Sequence, residues 1–231
     1  MSVKSAAARY REEIGEVRAV YRDRPSLLFA LILGGVWLLF TVFTLINPGE
    51  TFVLAIAPSV IFAVICGLIY LYMGGEALII AERGVLIGSA APGLRPYVIR
   101  YEQIAPGSVV PVTGARHYSH AIGTGVVPQS TVRRNFWTSQ GVHFVGPSPR
   151  EARRHKPLVA PFLDAPVNPT DGRTMWFAGT GSSSPHEAVR HIAEAARRAG
   201  LNELAERTQQ AGLVALDADP KNGGGRLPGV A

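Results

Sequence analysis

Ser26 to Ile46 reads SLLFALILGGVWLLFTVFTLI, and Thr51 to Met73 reads TFVLAIAPSVIFAVICGLIYLYM. Neither run holds a charged side chain, and between Pro25 and Glu76 the one charged residue is Glu50. A helix rises 1.5 Å per residue, so either run reaches across roughly 30 Å, the thickness of a bilayer's hydrocarbon core. In lipid the helix satisfies its own backbone, so both runs are expected to be helical. Asn47-Pro48-Gly49 is turn chemistry. A connection this short makes the two helices antiparallel. The first run lies too far from the start, and lacks the small-residue site behind it, to read as a cleaved signal peptide. A buried helical hairpin in a soluble fold is the competing reading.

The flanking charges orient the pair. Lys4, Arg9, Arg11, Arg18, Arg22 and Arg24 precede the first run, Arg83, Arg95 and Arg100 follow the second, and the connection has no Lys or Arg. The positive-inside rule puts both termini in the cytoplasm and the loop outside, as a multi-pass protein of the inner membrane. Gly34, Gly35 and Gly67 are small enough to let helices approach closely. Trp37 is expected to pack against a helix, Tyr70 and Tyr72 to lie at the cytoplasmic interface, and Pro58 to disturb its helix. Neither run carries an ionisable group, which argues against an ion path through this hairpin alone.

Across the 231 residues, 47% are hydrophobic and only 17% charged, with a net charge of +6. That excludes a disordered chain and a simple soluble domain. The basic excess suits an anionic membrane surface, and no nucleic-acid module accompanies it. Cys66 stands alone inside an apolar run, so it forms no internal disulfide and belongs to no thiolate cluster.

Before the membrane, Tyr10, Ile14, Val17 and Tyr21 fall at steps of four, three and four, which predicts an amphipathic helix over residues 1–25. It would lie on the membrane, dock a partner or pack on the protein's own domain. After the membrane, short apolar runs alternate with Gly and Pro. EALIIAERGVLIG (76–88) reads as a β-hairpin, YVIRY (97–101), QGVHFV (140–145) and TMWFA (174–178) as strands, and Pro111 limits its segment to an edge. Ser184-Pro185-His186-Glu187 has the pattern of a capping box with Pro at the first helical position. Val189, Ile192, Ala193 and Ala196 form one apolar face, and Gly200-Leu201 a C-terminal stop. A short helix is expected over 202–210 and a low-complexity tail after Gly212.

The order of two apolar helices, the EALIIAERGVLIG hairpin and the TMWFAGTGSSSPHEAVRHIAEAA strand-to-helix passage resembles the bacterial PH-like family of membrane proteins. The likeness covers residues 75–200 and rests on layout, and the Pro-rich stretch 147–173 departs from a compact version. It implies an interaction or scaffold domain and no enzyme active site. The fold class expected is α+β: a two-helix transmembrane hairpin (26–46 and 51–73, loop 47–50), then a small antiparallel sheet or barrel, PH-like, closed by a C-terminal amphipathic helix. Residues 201–231 would be a short helix and flexible tail.

Two stretches are candidate contacts with the membrane surface or a partner: Arg133, Arg134, Phe136 and Trp137, where cations adjoin aromatics, and the basic run Arg150, Arg153, Arg154 and Lys156. The run KPLVAPFLDAPVNP (156–169) is either a peptide that a partner reads or a packed loop. His117 and His120 lack a third ligand nearby, so no metal is expected, and no cofactor motif is present. GTGSSS (179–184) lacks the Lys of a P-loop and reads as cap chemistry, with a phosphate cradle as the sharper alternative. The leading function is a membrane-anchored scaffold or accessory protein with membrane lipids and a protein partner or second copy as its contacts. The alternatives are a small membrane enzyme acting on a lipid or envelope precursor, with His143, His117 and His120 as first candidates, and an accessory subunit of a transporter or channel.

Overall fold

The computed structural model describes residues 3–46, 52–89, 95–123, 131–152, 172–217 and 226–230. The chain is α+β. Helices α1 (Val3–Arg9) and α2 (Arg11–Ile14) lead into strand β1 (Val17–Arg22), then the apolar helices α3 (Leu27–Ile46) and α4 (Phe52–Met73). Strands β2 (Glu76–Ala81), β3 (Gly84–Ser89) and β4 (Tyr97–Arg100) follow. Next come β5 (Val110–Thr113), α5 (Tyr118–Ala121), β6 (Val132–Arg133), β7 (Gln140–Gly146) and β8 (Thr174–Gly179). Helices α6 (Pro185–Arg198) and α7 (Asn202–Gln209) and strand β9 (Val214–Ala215) complete the order.

Helix α3 is long and apolar enough to cross a membrane, and none of its apolar stretch is buried inside the protein. Leu27 is 77% exposed, Leu39 72% and Ile46 72%. In α4 the described apolar stretch is Ile56–Leu71. Ser26 caps α3, its Oγ accepting from the Phe29 N–H at 3.2 Å. The two helices meet through polar and aromatic side chains. Trp37 Nε1 donates to the Ser59 carbonyl at 3.3 Å, the Thr41 and Ser59 hydroxyls lie 2.6 Å apart, and Phe40 packs on Phe62 at 4.6 Å. Gly34, Gly35 and Gly67 do not take part, since a Cβ added at any of them would meet nothing within 4 Å. Pro58 lies inside α4, which continues through it.

The strands form two sheets, β1-β2-β3-β4 and β6-β8-β7-β5-β9. The first is antiparallel throughout. The apolar helices are therefore an insertion between two paired strands: Tyr21 lies opposite Leu78 and Arg22 opposite Ala77. In the second sheet β5, β7 and β8 are antiparallel, while the two-residue strands β6 and β9 join in parallel. Among the described residues no ladder joins the two sheets into a closed barrel. Their inner faces enclose the main core, with Leu78, Ile80 and Ile87 on one side and Val142, Phe144 and Trp176 on the other. Ala188, Val189, Ile192 and Ala196 of α6 close it. Trp176 anchors this layer. Its indole N–H donates to the Pro147 carbonyl at 2.9 Å, and Tyr97 meets its ring edge-on at 4.9 Å. Tyr21 ties β1 to α6 through His191 Nδ1 at 2.7 Å.

The α6 boundaries follow the local chemistry. Pro185 is the first helical residue and Ser184 the N-cap, although the Ser184 hydroxyl makes no capping bond, so the expected box is not formed. At the other end Gly200 N donates to the Arg197 carbonyl and Leu201 N to the Ala196 carbonyl, both at 3.0 Å, a Schellman stop with Gly200 at φ +82°.

Two expectations are corrected. The helix over residues 1–25 ends at Ile14, and Val17–Arg22 is a strand. Gly15, at φ +80°, breaks the helix. A step of four is in phase with a helix face and with the face of a regular strand, but the register shift between Val17 and Ala19 turns Val17 and Tyr21 to opposite faces of β1. Ile14 and Val17 cover the outer side of β2, packing with Ile79 and Leu86, while Tyr21 faces the main core. Both faces of β2 are thus covered, which explains its unbroken apolar run. The tail after Gly212 is also partly structured. Val214–Ala215 pairs with β5, and Leu227 is buried beside Val112 and Phe177.

Because Asp23 N donates to the Glu76 carbonyl at 3.2 Å, the two ends of the insertion already stand at hairpin distance. Replacing residues 24–75 by an Asn-Gly turn is expected to leave a folded, water-soluble domain. Sedimentation and cooperative thermal unfolding check this, and an aggregated or non-cooperative product contradicts it.

Candidate functional site

Where the apolar helices meet the sheets, one charged side chain is buried and two are half-buried. Asp23 follows β1 directly and is 2% exposed. Its carboxylate accepts from the Thr138 hydroxyl, which itself accepts from the Asn135 N–H at 2.7 Å. Burial pushes the Asp23 carboxyl up from its ordinary value, against the hydrogen bonds from Thr138 and Asn135. Glu76 opens β2 and pairs with Arg133 at 3.4 Å. Burial pushes Glu76 up as well, the Arg133 charge pulls it down, and the nearby Asp23 adds to the rise. Arg133 also lies over the Tyr97 ring, 5.3 Å from its centre. Among the described residues Glu76 Oε2 and Arg133 Nε have no hydrogen-bond partner, so there the pair is held by one arm only.

The residues expected to touch the membrane or a partner divide. Arg133 is spent on Glu76 and Tyr97. Arg134 is pinned, donating to the Arg116 carbonyl at 3.3 Å and to the Ser119 Oγ at 3.1 Å, and burial lowers its pKa. Phe136 is 67% exposed and meets Phe29, in the first turn of α3, edge-on at 5.2 Å, while Trp137 packs on it at a tilt at 5.0 Å. The two aromatics are thus fastened to the foot of the apolar helix. Arg150 is exposed in the turn after β7. Arg153, Arg154, Lys156 and the run 156–169 lie outside the described residues, as does the connection 47–50.

Beside Trp137 a cleft of about 770 Å³ opens between the end of β1 and the loop before α6. Arg22, Arg24, Ser139, Ser182 and Ser183 line it, and Pro25 and Ser26 form the wall next to α3. Gly181, at φ +61°, lets the two segments touch, since a Cβ there would come within 2.2 Å of the Arg22 carbonyl. Sequence reasoning noted the arginines as topology signals and GTGSSS as a cap, with a phosphate cradle as the alternative. The 160 residues between them hid their meeting.

The histidines do not converge. His143 is fully buried in β7. Its Nδ1 accepts from the Tyr118 hydroxyl at 2.6 Å, and its Nε2 donates to the Pro228 carbonyl at 2.9 Å. Both ring nitrogens are occupied, so His143 has none left for a substrate, and its work is to hold the C-terminal segment against the sheet. His117 and His120 sit on a short helical turn, with His120 exposed. Among the described residues no group of three or more His, Cys, Asp or Glu is placed to hold a metal.

Burial pushes His143 down to about 4, against 6.5 for a free side chain. The unfolded chain therefore binds more protons between those values. This contribution to stability is fully present above about pH 6.5 and is lost as pH falls toward 4, by about 3 kcal/mol. Asp23 and Glu76 act in the opposite sense, because their folded-state values are raised. The contrast with His143→Gln isolates the histidine: urea midpoints between pH 7 and 4.5 are expected to fall more steeply for wild type, and parallel curves contradict it. Comparison with family models, with curated proteins and with solved structures returns no match for this chain.

Proposed function

We propose that this protein is a membrane-anchored scaffold or accessory protein. Helices α3 and α4 cross the bilayer as an antiparallel pair, and the two-sheet domain, read as PH-like, lies at the cytoplasmic surface, where it contacts lipid and a protein partner or a second copy. The observation that carries this reading is the packing of Phe136 and Trp137 on Phe29. Aromatics at the end of an apolar helix suit the headgroup layer, where one side of the ring is apolar and the other wet.

Three further features support it. The outer surfaces of α3 and α4 are continuous hydrocarbon, far beyond the apolar patch that a soluble monomer carries. The basic residues flank the pair and avoid the connection. Gly34, Gly35 and Gly67 face away from the α3–α4 contact, so they are free to receive another helix. The engagement of both His143 nitrogens weighs against an enzyme built on that residue.

Washing membranes with alkaline carbonate tests the anchoring. The full chain is expected to stay in the pellet, and recovery in the supernatant overturns the reading.

A further inference from the structure

We propose that the cleft between the end of β1 and the loop before α6 binds the phosphate of an anionic phospholipid headgroup, with Arg22 and Arg24 supplying the charge and Ser182 and Ser183 the hydrogen bonds. The inference rests on the reading that α3 and α4 lie in a bilayer, and it names what the domain recognises there.

Arg22 and Arg24 are exposed at the cleft, whereas Asp23, which also lines it, is buried with its carboxylate held by Thr138. Among the described residues neither Arg22 nor Arg24 has an ion-pair or hydrogen-bond partner. Other arginines are matched: Arg18 with Glu82, Arg133 with Glu76, Arg207 with Glu203 at 2.9 Å. Two unmatched guanidiniums on one cleft favour an anion, and their planar forks suit phosphate oxygens.

The opposite wall is pre-set. Gln140 Nε2 donates to the Gly181 and Ser183 carbonyls at 3.3 and 3.0 Å, and the Thr180 hydroxyl to the Ser183 carbonyl at 2.9 Å. The loop's carbonyls are turned inward and satisfied. The Ser182 and Ser183 hydroxyls line the cleft with no partner among the described residues. A loop already held in place loses little freedom on binding.

Position selects the source of the phosphate. Arg24 stands three residues before Leu27, where α3 begins, and Trp137 in the cleft wall packs on Phe29. The cleft is thus at headgroup depth. Its volume of about 770 Å³ is far more than a lone phosphate fills and suits a phosphodiester with its glycerol.

Native mass spectrometry of the full chain in mild detergent tests the proposal, with phosphatidylglycerol, phosphatidylcholine and inorganic phosphate as probes. One phosphatidylglycerol is expected to be retained in preference to phosphatidylcholine. Arg22→Gln and Arg24→Gln are each expected to weaken it about fivefold. Arg198→Gln, at the far end of α6, is expected to leave it unchanged, and thermal unfolding of all three variants shows that they are folded. Equal retention of the two lipids, or wild-type retention by both cleft variants, overturns the inference. Phosphate binding without lipid retention overturns the lipid source. A chain that resists carbonate yet shows no lipid preference removes this inference alone, whereas a chain that carbonate strips removes the membrane reading itself.

Discussion

Strand β1 pairs with β2 across an insertion of two apolar helices, and the rest of the structure depends on that pairing. The register of Arg22 on Ala77 requires that everything between leave the sheet and return to within one hydrogen bond of its start. An antiparallel helical pair meets this requirement, because its two ends lie side by side. Two helices of 20 and 22 residues give arms of nearly equal reach. The helical hairpin is therefore the connection inside a β-hairpin and, in the function proposed, also the membrane anchor. The domain cannot rotate freely on it, since two adjacent strands carry straight into the two helices.

That geometry crowds charges at the junction. Asp23 and Glu76 mark the points where the chain passes between sheet and apolar helix, and burial works against the charged form of both. Thr138 and Arg133, from the loop and strand that the second sheet contributes, partner them. Removing Arg133 would leave the half-buried Glu76 without its counter-charge, so this basic residue stabilises the joint between the sheets and the apolar helices. The same loop supplies Phe136 and Trp137 to the foot of α3. One short segment thus partners the two acids on one side and packs aromatics on the foot of α3 on the other.

Much of the architecture was legible in the sequence because its signals were local. Uncharged runs marked the apolar helices, EALIIAERGVLIG marked a hairpin, and Pro185 with Gly200 marked the ends of α6. The misreadings came where a local pattern admits two answers or where the partner is distant. The step from Val17 to Tyr21 is in phase for a helix and for a regular strand, and pairing with β2, beyond the apolar helices, both decides for the strand and turns the two residues to opposite faces. The tail looked featureless because its structure comes from β5 and His143, partners about 85 to 100 residues away. Arg133 looked free because Glu76 lies on the other side of a loop and three strands. The cleft was hidden for the same reason, as Arg22 and Ser182 meet only after the sheets have packed.

Cysteine accessibility in intact cells tests the central claim, two crossings with the polar domain inside. In a Cys66→Ala background, Pro48→Cys places a thiol in the connection and Glu206→Cys places one on exposed α7. With a membrane-impermeant maleimide, the account predicts labelling at position 48 without permeabilisation and at position 206 only after it. Labelling of position 206 in intact cells, or protection of position 48, would contradict it.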